Sequence, residues 1–125
     1  MTGLVLVTHN GLGEALRHEA EHILGQSFGM TTVAISYRAD PDTTLDELRL
    51  VLSASADAEG ALVLTDLPGA TPHNLATQAA AELGIPVVSG LNLPMLLKVL
   101  NLLDEPAGAL AAHACEGGRK GVIRS

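Results

Sequence analysis

The chain has 125 residues, a formal charge of −7, 47% hydrophobic residues and 2% aromatic ones, with Cys115 as its single cysteine. That length makes one domain with a real core, removing roughly two-thirds of its unfolded surface from water. The acidic balance excludes a nucleic-acid binder, which needs clustered Lys and Arg; one cysteine excludes an internal disulfide or a multi-cysteine metal site and fits a reducing compartment.

Strand-like and helix-like segments alternate from the N-terminus: strand 3 to 8, helix 12 to 25, strand 31 to 36, helix 42 to 57, strand 61 to 65, helix 72 to 83, strand 86 to 89 and helix 94 to 103. In the first helix Leu12, Leu16, Ala20 and Ile23 form an apolar stripe and Gly25 is the stop. Asp42 or Thr43 caps the second helix after Pro41, and a short helix over about 107 to 116 precedes a final strand-length segment, Gly121 to Arg124. The alternation predicts an α/β fold: an open, mainly parallel four-stranded sheet in the order 2-1-3-4, with helices on both faces and a short C-terminal edge strand. Val, Leu, Ile and Ala, the residues of buried parallel strands, must build the core. One domain over 1–125 is expected, without repeats or linkers.

The first apolar run stops at Thr8 with no basic segment before it, unlike a signal peptide. The later apolar stretch Leu91 to Leu103 is interrupted by Asn92, Pro94, Lys98 and Asn101 and is too short to span a bilayer. A cytoplasmic protein is expected, with any membrane link through partners.

Ligands of such sheets bind beyond the carboxyl ends of the strands, where strand order reverses. For the order 2-1-3-4 that point lies between the first and third strands, which end at His9 and Asp66. An imidazole beside a carboxylate suits phosphoryl transfer through histidine: the carboxylate holds one ring nitrogen and fixes the tautomer, leaving the other as the nucleophile. Asn10 and Gly11, opening the first helix, offer outward N–H groups for phosphate. The segment Asp66 to Asn74 offers a second set at Gly69 and Ala70, with Thr71 as the expected N-cap and phosphate-binding hydroxyl and Pro72 in the first helical position. The plain alternative is that His9 only precedes a helix and Asp66 only begins a turn; spacing does not choose between the two. His73, inside the first turn of its helix, is the rival nucleophile and reads better as a partner contact.

Other motifs carry less. His18-Glu19-Ala20-Glu21-His22 matches H-E-x-x-H, but both imidazoles fall roughly 140° from the centre of the apolar stripe, and no third ligand is evident, so no metal site is assigned. Gly11 and Gly13 lack the third glycine of a dinucleotide loop.

With these residues in view, the chain resembles the mannose-type IIA component of the bacterial phosphoenolpyruvate-dependent sugar phosphotransferase system. The resemblance rests on Val7-Thr8-His9 with a glycine, Gly11, just after it, on Leu64-Thr65-Asp66 leading into Gly69-Ala70-Thr71-Pro72-His73-Asn74, on Gly90-Leu91-Asn92-Leu93-Pro94-Met95-Leu96, and on Gly118-Arg119-Lys120-Gly121-Val122. It implies that His9 accepts a phosphoryl group from the histidine phosphocarrier protein and passes it to a IIB component. Asp66 would hold the other ring nitrogen and Thr71 would contact phosphate. Asn92, Pro94 and Met95 join His73 as expected partner contacts. The resemblance further implies a homodimer that exchanges the last strand, and no cofactor. Ala70 and Thr71 stand where the family often has glycine and serine, and Ala70 would be strained if that position needs a positive φ. No fused IIB domain is expected, so the acceptor is a separate IIB component or a regulatory target. The alternatives are a phosphotransfer subunit feeding a dihydroxyacetone kinase and a binding module gated by phosphorylation of His9.

Overall fold

The computed structural model describes residues 1–125. Its elements are β1 (Gly3–His9), α1 (Leu12–Leu24), β2 (Thr31–Ile35), α2 (Pro41–Ser55), β3 (Ala61–Thr65), α3 (Thr71–Leu83), β4 (Val87–Val88), α4 (Leu93–Leu100) and α5 (Ala107–Lys120). The four strands form one parallel sheet in the order β2-β1-β3-β4, as the alternation predicts.

Alternation along β1 and β3 divides the core in two. Leu4, Leu6, Leu62 and Leu64 face one way, packing with Met95, Leu96, Val99 and Leu110 under α1, α4 and α5. Val5, Val7 and Val63 face the other, packing with Leu45, Leu48, Leu52 and Ala76 under α2 and α3. Fully buried leucines such as Leu6 and Leu64 each stabilise the fold by about 1.5 to 3 kcal/mol over an exposed position. A strand with both faces covered is nearly all apolar, and β3, which is apolar up to Thr65, has no exposed residue.

Several boundaries differ from the sequence expectation. Asp40, not Asp42 or Thr43, caps α2, its side chain accepting from the Thr43 N–H at 2.9 Å; Pro41 therefore takes the first helical position, where its missing N–H costs nothing. On α1 the inward line is Gly13, Leu16, Ala20 and Leu24, while Leu12 and Ile23 are exposed. Gly13 decides that rotation, because a Cβ there would sit 3.1 Å from Thr8 Oγ1, the atom that accepts the Gly13 N–H. Helix α5 runs on to Lys120, beyond the expected stop near 116, since Gly117 and Gly118 lie against Lys98 and Met95 of α4 and tertiary packing overrides their poor helix propensity. In the single chain residues 121–125 take no strand conformation, and Val122 and Ile123 are exposed. No helix is long and apolar enough to cross a membrane.

Candidate functional site

Strands β1 and β3 are hydrogen-bonded neighbours, with Val7 opposite Thr65, so the residues that follow leave the sheet side by side. This is the switch point of the 2-1-3-4 order, and it brings His9 to Asp66. Asp66 Oδ2 accepts two hydrogen bonds from His9, one from its backbone N–H at 3.0 Å and one from imidazole Nδ1 at 2.7 Å, while Oδ1 accepts the Leu67 N–H at 3.1 Å. Burial by itself would raise the Asp66 carboxyl; the hydrogen bonds from the His9 backbone and ring outweigh it and hold the group below its ordinary 3.8. An ionised carboxylate only accepts, so Nδ1 donates to it; in the neutral ring the lone pair then lies on Nε2, which has no partner within the chain.

His9 continues the alternation of Val5 and Val7, which directs its ring to the α2 and α3 side of the sheet. There it lines a crevice of about 270 Å³ with Ile35, Ser36, Tyr37, Ala39, Pro41, Thr71 and Pro72. The Tyr37 ring lies 5.6 Å from the imidazole, centroid to centroid, tilted by 37°. Thr71 is exposed at the start of α3, whose N-cap residue, Ala70, supplies no side-chain hydrogen bond. The positive end of that helix and its first free N–H groups thus open beside the imidazole.

The expected phosphate-binding residues divide. Thr71 lines the crevice, though as the first residue of α3 and not as its N-cap. Asn10 and Gly11 stand outside it, because α1 lies under the opposite face of the sheet; the Asn10 N–H, at a residue with φ of 44°, is taken by the Ile35 carbonyl at 3.0 Å. The Ala70 N–H is likewise taken, by the Leu67 carbonyl at 3.3 Å. Ala70 is extended, with φ of −82°, and its neighbour Gly69 has the left-handed conformation, so alanine causes no strain.

The expected partner contacts divide as well. Met95 is buried in the core and is not available at a surface, because α4 turns it toward Gly118. Asn92 is the N-cap of α4, accepting from the Met95 N–H and donating to the Gly118 carbonyl at 3.1 Å, and Pro94 packs near Gly121. His73 is half-buried, its Nδ1 hydrogen-bonded at 2.8 Å to the hydroxyl of the fully buried Thr65. His18 and His22 are exposed on α1, and no three His, Cys, Asp or Glu side chains converge anywhere in the chain.

Sequence reasoning missed the β2 side of the crevice, Ile35 to Tyr37. The signal was available: β2 is also a neighbour of β1, so the residues after its carboxyl end reach the same rim.

A carboxylate-oriented imidazole at the switch point of an open parallel sheet, its second nitrogen free beside a helix start, defines a small α/β protein equipped for nucleophilic chemistry on histidine. The chain belongs to the mannose-type IIA family of the phosphotransferase system, for the model described as "PTS system fructose IIA component" matches residues 3–114. It is 29% identical over 122 residues to the mannose-specific EIIAB component of Escherichia coli K12, covering 95% of this chain and 38% of that protein. It is 27% identical over 108 residues to the fructose-specific EIIA component of Bacillus subtilis, covering 86% and 74%. Among solved structures, the mannose/sorbose-specific IIA subunit from Enterococcus faecalis superposes with a TM-score of 0.89 at 27% identity, covering 99% of this chain and 94% of that one. The component EIIA from Streptococcus agalactiae superposes with 0.84 at 25% identity, covering 99% and 97%.

Proposed function

We propose that the protein is a phosphocarrier of the sugar phosphotransferase system, working in the cytoplasm through a phosphohistidine at His9. The observation that carries this reading is the Asp66 Oδ2 contact to Nδ1, which leaves Nε2 as the nucleophile facing the crevice. Nε2 attacks the phosphorus of the phosphohistidine on the small phosphocarrier protein. The new Nε2–P bond forms as the donor's N–P bond breaks, and its electron pair returns to the donor ring. The proton on Nδ1 stays in its bond to Asp66, so the phosphorylated ring is an imidazolium whose charge the carboxylate balances. The Thr71 hydroxyl and the free amides of the first turn of α3 receive the phosphoryl oxygens. The reverse attack, by a nucleophile on a IIB component or a regulatory target, passes the group on. No cofactor enters either step.

A homodimer fits two features of the chain. The outer edge of β4 is unpaired, and Val122 and Ile123 form an apolar pair on a tail with no partner of its own. Pairing of that tail with the sheet of a second copy would cover both.

Intact mass tests the carrier role, after the protein is mixed at mildly alkaline pH with phosphoenolpyruvate, the general phosphotransferase enzyme and the phosphocarrier. One acid-labile phosphoryl group on wild type, and none on His9→Ala, is the expected result. A folded wild type that takes no phosphate would overturn it.

A further inference from the structure

Tyr37 is the one aromatic residue at the crevice, and core packing does not explain it, because 83% of its surface is exposed. What places it is local. His9 and Ile35 are register partners, and the Asn10 N–H bonds the Ile35 carbonyl, so β2 ends level with the imidazole. The chain then turns back: the Ser36 carbonyl accepts the Ala39 N–H at 3.1 Å, and Ser36 Oγ accepts the Arg38 N–H at 2.9 Å. Tyr37 rides on that turn, its ring 5.6 Å from the imidazole centroid.

We infer that Tyr37 is a positioning residue for the phosphorylated form of His9, its π-face stabilising the imidazolium that the phosphoryl group creates. This rests on the reading of His9 as the phosphoryl acceptor. A neutral imidazole with Nδ1 protonated gains a positive charge when Nε2 bonds phosphorus, and an aromatic face within about 6 Å of a cation attracts it. Asp66 holds the ring at Nδ1, while Tyr37 lies beside it on the turn that follows β2. Hydrolysis undoes the charge: a water oxygen bonds the phosphorus, the Nε2–P bond breaks with its electron pair returning to Nε2, and the water proton leaves with orthophosphate. The Nε2–P bond is already breaking in the transition state, so the ring carries less charge there than at the start; Tyr37 therefore stabilises the starting state more than the transition state and slows the loss of phosphate.

The test uses the whole chain and no partner protein. Phosphoramidate charges His9 directly, its own N–P bond breaking as ammonia leaves; after its removal, hydrolysis is followed by intact mass. Tyr37→Phe keeps the π-face and should match wild type. Tyr37→Leu keeps apolar bulk without it and should lose phosphate about two- to fivefold faster, the range expected of an exposed cation–π contact. Ser36→Ala, which frees the turn, should shift the rate in the same direction. Equal hydrolysis in wild type and Tyr37→Leu would overturn the inference, as would a defect seen only with the protein donor, which would make Tyr37 a docking residue. A wild type charged by phosphoramidate but not by the phosphocarrier would sink the phosphocarrier reading alone, leaving this one to the hydrolysis rates.

Discussion

One oxygen of Asp66 holds His9 at two points, the backbone N–H at 3.0 Å and the ring Nδ1 at 2.7 Å. The carboxylate thereby ties β1 to the end of β3 and sets the ring with the same atom, so imidazole orientation and strand register are one constraint.

Replacing Asp66 by Asn preserves shape but removes the charge, and an amide cannot balance an imidazolium. A hydrogen bond to a charged group is worth about 1.5 to 3 kcal/mol, so phosphorylation of His9 should slow by about ten- to a hundredfold while the circular dichroism stays native. Single-turnover mass spectrometry checks it, and a wild-type rate in Asp66→Asn would remove Asp66 from the mechanism.

Acid should act through the same carboxylate. Its folded pKa lies below the ordinary 3.8, so its contribution to stability is fully present above that value and is lost as pH falls through the depressed folded value. Urea midpoints between pH 6 and pH 2.5 should therefore drop less steeply at the acid end for Asp66→Asn than for wild type. Parallel curves would contradict the assignment.

His73 should matter to stability and not to transfer. Its Nδ1 is the partner of the Thr65 hydroxyl, which is fully buried, and His73→Ala leaves that hydroxyl unpaired at a cost of about 1 to 3 kcal/mol. Thermal melts should show the loss, while one phosphoryl group is still taken up at His9. Loss of phosphorylation in a folded His73→Ala would instead restore it as the rival nucleophile.

Gly117 and Gly118 separate two effects at the seam between α4 and α5. A Cβ at Gly118 would meet the mobile end of Met95, Cε at 2.8 Å, whereas one at Gly117 would meet Lys98 Cβ at 2.6 Å, close to its backbone. Alanine gains about 1 kcal/mol of helix propensity at either position. Gly118→Ala should therefore be neutral or slightly stabilised, and Gly117→Ala destabilised by up to about 2 kcal/mol as overpacking exceeds that gain. Denaturant titration of the pair decides, and equal stabilities would mean that the seam is looser than these distances indicate.

The strand order, the two-faced burial of β3 and the nearness of His9 to Asp66 are all legible in the sequence. Hydrophobic runs alternating with periodic segments admit few topologies, and in an open parallel sheet topology alone places the ends of the first and third strands together. Helix ends were less legible. Asp40, Asp42 and Thr43 are all competent caps, and the choice among them depended on where Pro41 enters the helix. The length of α5 was hidden because two glycines argue against a helix until Lys98 and Met95 are seen to occupy the space their side chains would need.

By itself the sequence determined the fold class, the placing of His9 and Asp66 at the ends of neighbouring strands and the family, because each follows from residue type and order along the chain. Only the tertiary structure decided which face of the sheet the His9 ring takes, and with it which helix start attends the ring: that of α3, with Thr71, and not that of α1, with Gly11. It also decided that Tyr37 stands beside the ring and that Met95 is buried. These depend on the alternation of side chains along β1 and on turns that fold one element over another, and a linear pattern does not contain the distances between them.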